Sequence, residues 1–173
     1  PVSWNFNGEK VEKIARRISD YNDNVIVLLG TKALTERGQN AAHKIAVKLS
    51  AKVFAETFPA RWDRGRHISV PDRFPYFPEA GLSALKNAKT IILVGAKPPI
   101  AYFGNNGVPS KLFPENTIYE LASEAEDAEG AIISLAKAIG SSNIKTTTGW
   151  SAPRQPNLEK PLDVQSCGEM VAY

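Results

Sequence analysis

The chain has 173 residues, 43% of them hydrophobic and 23% charged, which is enough apolar side chain for one packed domain and excludes whole-chain disorder. Its net charge of +3, from 21 basic and 18 acidic residues, is too small to imply nucleic-acid binding unless it is gathered on one face. The single cysteine, Cys167, excludes an intramolecular disulfide and a cysteine-based zinc site, and no apolar run reaches the roughly 18–20 residues of a membrane helix. The expected setting is cytoplasmic, with neither nucleic acid nor membrane as partner.

The opening Pro1-Val2-Ser3-Trp4 has no basic or apolar leader, and residues 1–8 read as a linker or the end of a preceding domain. Val11, Ile14, Ala15 and Ile18 recur at helical spacing and predict an amphipathic helix over 9–20. After the turn Asn22-Asp23-Asn24 comes Val25–Leu29, a strand apolar on both faces that ends at Gly30, as in a buried parallel sheet. Thr35 is placed to cap a helix burying Ala42, Ile45, Ala46 and Leu49, and Lys52–Glu56 is a second strand. Thr57–Pro78 reads as irregular, with an extended piece at Ile68–Val70, before a helix at Glu79–Asn87 with Leu82 and Leu85 inward. Thr90–Val94 is a third strand ending at Gly95, and 96–116 is a long Gly-, Pro- and Asn-rich loop. Thr117–Leu121 is a fourth strand. Asp127 then caps a helix carrying Ala131, Ile132, Leu135, Ala138 and Ile139, closed by Gly140.

This alternation predicts an α/β fold: a three-layer, Rossmann-like sandwich with a mostly parallel sheet and helices on both faces. The domain spans residues 9–140, and residues 141–173 read as a flexible linker or tail.

In such sheets ligands collect beyond the C-terminal strand ends. Gly30-Thr31-Lys32-Ala33, leading to Gly38, could cradle a phosphate through backbone N–H groups; its spacing fits neither a dinucleotide fingerprint nor a P-loop, and a tight turn in which Gly38 permits close packing is the other account. Gly95-Ala96-Lys97-Pro98-Pro99 offers Lys97 to an anion, or is simply a rigid loop with a solvated lysine. Arg61, Arg64, Arg66 and Arg73, with His67 among them, suit an anion clamp or, partly neutralised by Asp63 and Asp72, a solvated or inter-domain surface loop. The aromatic residues Phe74, Tyr76, Phe77, Tyr102 and Phe103 are expected to pack loops onto the sheet. His43 and His67 form no ligand pair, there is no Gly-x-Ser-x-Gly elbow, and Cys167 lies in the polar tail, so no catalytic or metal-binding residue is assigned.

The blocks Gly30–Gly38, Ala55-Glu56-Thr57-Phe58-Pro59-Ala60-Arg61, Pro75–Glu79 and Leu93–Pro99 resemble the central domain of thiamine-diphosphate-dependent enzymes of the acetolactate synthase large-subunit type, over residues 9–140. The resemblance implies flanking pyrimidine- and diphosphate-binding domains in a homo-oligomeric parent acting on a 2-keto acid. It places thiamine diphosphate, Mg²⁺ and the activating glutamate in those domains, so that this segment alone is inactive. Some relatives bind FAD here, and the corresponding positions are Gly30, Thr31 and Lys32 with Ala33, then Gly95 and Lys97 up to Pro99, and Asp127. Lys97-Pro98-Pro99 replaces the family's Gly-x-Arg turn, and no Ile-Asp-x-Asp follows the fourth strand. The expectation is a structural spacer that binds FAD weakly or not at all, with a free-standing nucleotide-binding module as the alternative.

Overall fold

A computed structural model describes residues 5–20, 24–104 and 106–146. The chain runs α1 (Gly8–Asp20), β1 (Val25–Leu29), a 3₁₀ turn (Thr31–Ala33), α2 (Glu36–Leu49), β2 (Lys52–Ala55), β3 (Asp72–Arg73), α3 (Pro78–Leu85), β4 (Thr90–Val94), β5 (Ile118–Ala122) and α4 (Ala128–Ala138). The strands form one five-stranded sheet in the order β3-β2-β1-β4-β5, and every pairing is parallel. The α/β class therefore stands, and the expected mostly parallel sheet is parallel throughout the described strands.

β1 and β4 are buried at every position, which is why each reads as an unbroken apolar run rather than an alternation. Successive side chains still point to opposite faces. Val25, Val27 and Leu29 join a core with α1, α2 and α4, whereas Ile26 and Leu28 join a second core with Leu85 of α3 and Leu112 of the long loop. Burying each such side chain stabilises the fold by roughly 1.5–3 kcal/mol.

Local chemistry fixes the helix starts. Asn7 Oδ1 accepts from Glu9 N at 2.9 Å, Thr35 Oγ1 from Gly38 N at 3.1 Å, and Asp127 Oδ1 from Gly130 N at 2.8 Å, satisfying amide groups that no helix can satisfy internally. Asp127 is thus the cap of α4. Packing also reaches past residue 140: Ser141 is fully buried, with its Oγ donating to Ala136 O at 2.9 Å.

Several expectations need correcting. Ile68–Val70 forms no strand; Ile68 and Ser69 are buried in a turn held by Asn40, whose Oδ1 accepts from Ser69 N at 3.0 Å. The edge strand is instead Asp72–Arg73, exposed on both residues and paired with β2 through its backbone. In α4, Ala136 rather than Ala138 is buried, and Leu82 in α3 is only half-buried. The last strand runs over Ile118–Ala122, one residue later than expected, although Thr117 O still accepts from Ile91 N at 2.7 Å. Cys167 and the Asn22-Asp23 part of the first turn lie outside the described residues.

Candidate functional site

The strand order reverses between β1 and β4, so the sheet's switch point lies where these two strands end. Gly30 and Gly95 meet there. Gly30 N donates to Val94 O at 2.9 Å, and a Cβ on Gly30 would stand 1.8 Å from Gly95 O. Only glycine permits that approach. Gly95 has φ 64°, in the left-handed region, and its own missing Cβ would meet Ala128 Cβ at 2.9 Å. The glycine pair therefore lets the ends of β1 and β4 close directly on one another. Gly38 has the packing role expected of it: a Cβ there would lie 2.2 Å from Ala33 O.

Beyond Gly30, the first amide of the turn already has an anion. Thr31 N donates to Glu56 Oε1 at 2.9 Å and Thr31 Oγ1 to the same oxygen at 3.1 Å, while Thr31 Oγ1 accepts from Ala60 N at 2.9 Å. Glu56 follows β2 and is half-buried. Burial raises its pKa above the ordinary carboxylate value, the Thr31 hydrogen bonds partly oppose that shift, the negative charge of Glu124 adds to it, and Lys97 lowers it. Lys97 Nζ lies 3.4 Å from Glu124 Oε2. Thr31, Glu56, Lys97 and Glu124 thus line one cleft of about 370 Å³, together with the apolar Pro98, Pro99, Phe58 and Tyr102. Sequence reasoning singled out Thr31 and Lys97 but treated Glu56 as a strand end; an acidic residue at a strand terminus beside a Gly-Thr turn was the available signal.

Of the aromatic set, only Phe74 packs beneath the sheet, at 88° to Phe54. Tyr76, Phe77, Tyr102 and Phe103 correct the expectation: with Phe58 they form an exposed cluster of rings in mutual contact beside the cleft, with centroids 5.1 Å apart for Phe58 and Tyr102 and 6.0 Å for the stacked Tyr76 and Tyr102.

The arginine segment is organised around Trp62. Arg64 lies over its ring at 3.9 Å and Arg73 at 5.3 Å; Arg73 Nη1 also donates to Thr57 O at 2.7 Å, and Arg61 Nε to Asp63 Oδ1 at 3.0 Å. Trp62 Nε1 donates to Gln39 Oε1, and the buried Gln39 amide donates to Leu34 O and Asp63 O, so these side chains pin the loop to α2. His67 gives its carbonyl to Asn40 Nδ2 at 3.1 Å, and His43, on α2, has its pKa lowered by burial. Among the described residues no three His, Cys, Asp or Glu side chains group so as to hold a metal ion, and no helix is long and apolar enough to cross a membrane.

No family model matches the sequence. A curated relative, the putative acetolactate synthase large subunit IlvX of Mycobacterium tuberculosis, is 30% identical over 131 residues, covering 76% of this chain and 25% of the relative. A solved structure, a putative thiamin diphosphate-dependent enzyme from Mycobacterium smegmatis, superposes with a TM-score of 0.60 at 18% identity, over 90% of this chain and 33% of its own, which establishes the shared fold. The chain therefore spans about a quarter to a third of the length of these relatives. In sequence the chain is thus similar to part of an acetolactate synthase large-subunit relative, and in fold to part of a thiamin diphosphate-dependent enzyme.

Proposed function

We propose that residues 9–140 are the central, non-catalytic domain of a parent enzyme that joins or decarboxylates 2-keto acids with thiamine diphosphate and Mg²⁺. Residues 1–8 and 141–173 would connect it to the pyrimidine- and diphosphate-binding domains, in a homo-oligomeric, cytoplasmic protein. The name of the relative supports the parent's substrate class, and this domain's own chemistry supports the spacer role.

The observation that carries the spacer role is the bond from Thr31 N to Glu56 Oε1. A nucleotide phosphate entering at this turn would have to displace an internal carboxylate and then share the cleft with Glu124. The residues present do not fit the pyrophosphate of FAD, and Lys97 already has a carboxylate partner.

The test is turnover. The full-length parent should consume pyruvate only when thiamine diphosphate and Mg²⁺ are both added, while the 173-residue chain alone should not, whatever cofactors are present. Turnover by the short chain, or a parent indifferent to thiamine diphosphate, refutes the proposal. The spacer role has its own readout. Denatured parent should release no stoichiometric flavin, and FAD, NAD and adenine nucleotides should produce no saturable signal on the chain; micromolar binding of any of them favours a nucleotide-binding module instead.

A further inference from the structure

The cleft at the ends of β1, β2 and β4 has an unusual combination of walls. Its volume of about 370 Å³ suits a small organic molecule, and its lining includes the apolar surfaces of Phe58, Tyr102 and the paired Pro98 and Pro99. The same lining carries the carboxylates of Glu56 and Glu124 against the single ammonium of Lys97, which stands beside Glu124. The Thr31 turn engages Glu56 through Oε1, and a carboxylate can accept on both of its oxygens. Negative charge is therefore in excess where an aromatic face is also on offer. Ring faces attract cations and carboxylates attract ammonium groups, and both attractions strengthen as water is excluded. The same arrangement repels phosphates and carboxylic acids.

We propose that this cleft binds a small organic ammonium ion with an apolar or aromatic body, its head group on Glu56 and Glu124 and its body against Phe58 and Tyr102. The site is independent of the thiamine assignment: it is read on this chain alone, and its failure leaves pyruvate turnover by the parent untouched. Half-burial of Glu56 fits the proposal, because a bound cation would replace the hydration that the carboxylate has partly lost.

The test uses the 173-residue chain and three probes of similar shape, phenethylamine, 2-phenylethanol and 3-phenylpropanoate, with ADP as the nucleotide control. Binding is followed by calorimetry and by the amide NMR signals of Thr31 and Lys97. Phenethylamine should saturate these signals and bind about tenfold or more tightly than 2-phenylethanol, with no binding of the acid or of ADP. Glu56→Gln and Tyr102→Ala should each weaken phenethylamine about fivefold or more. Glu56→Gln keeps an oxygen for Thr31; should it nevertheless unfold the chain, Glu124→Gln, at an exposed position, replaces it as the charge variant and should weaken the amine while the amide spectrum stays dispersed. Equal affinity for the alcohol and the amine, saturation by ADP, absence of any saturable signal, or indifference to removal of the carboxylates overturns the proposal.

Discussion

Gly30 shows how far a single missing atom determines the architecture. Its backbone is extended, at φ −91° and ψ 176°, so conformational freedom is not what the position needs; the need is for space beside Gly95 O. Gly30→Ala forces a Cβ into backbone that cannot rotate away, and should cost roughly 3 kcal/mol or more in urea denaturation, whereas Gly8→Ala, with nothing within 4 Å of the new atom, should stay within about 1 kcal/mol of the parent. Two glutamates make opposite contributions to the pH dependence of stability. Glu56 has a pKa raised above 4.5, chiefly by burial, so the folded state holds its proton more tightly than the unfolded chain; its contribution to stability falls as pH rises from about 4.5 through the raised value. Glu126 has a pKa lowered below 4.5, first by the Ser123 backbone N–H that it accepts at 2.7 Å and then by Lys10, so its contribution is present above 4.5 and is lost as pH falls through the lowered value. Urea midpoints measured from about pH 3 to 7 should therefore decline less steeply on the acid side in Glu126→Gln and less steeply toward neutrality in Glu56→Gln.

At the level of elements, Thr35 joins two helices through one hydroxyl. Its Oγ1 accepts from Gly38 N to start α2 and donates to Glu129 Oε2 in α4 at 2.5 Å. Thr35→Ala removes both bonds and should lower the unfolding free energy by about 1–2 kcal/mol, while Thr35→Ser should recover most of it, as read from denaturant midpoints. This cap was visible in the sequence, as were α1, β1 and β4, because capping chemistry and unbroken burial leave local signals. β3 left none. Asp72 and Arg73 are both exposed, and only the bonds to β2, such as Phe74 N to Ala55 O at 2.8 Å, make the segment part of the sheet. Ile68–Val70 misled for the converse reason, since Ile68 is buried, and Val70 half-buried, beside a turn that Asn40 holds from α2. The site was legible to the same extent: the Gly-Thr turn and Lys97 could be placed at strand ends, but the bond between Thr31 and Glu56 joins residues 25 apart in sequence and depends on the β1–β2 register.

On the scale of the whole molecule, the exposed rings bear on how the domain sits in a longer protein. Phe77 and Phe103 are 69% and 67% exposed, and with Phe58, Tyr76 and Tyr102 they make a contiguous apolar surface at the C-terminal edge of the sheet. The described chain also enters at that edge, where Asn5 O accepts from Asp127 N at the start of α4. In the spacer role proposed for this domain, a neighbouring domain would cover the rings, and each phenylalanine so buried would stabilise the parent by roughly 1.5–3 kcal/mol. Replacing both with serine should change the unfolding midpoint of the 173-residue chain little, because rings facing water contribute little to its folding. It should, however, reduce self-association of that chain at high concentration, measured by sedimentation velocity. The same pair of substitutions in the full-length parent should lower the midpoint of thermal unfolding by several degrees. An unchanged parent would mean that the rings remain in water there too, and that a neighbouring domain approaches this one from another side.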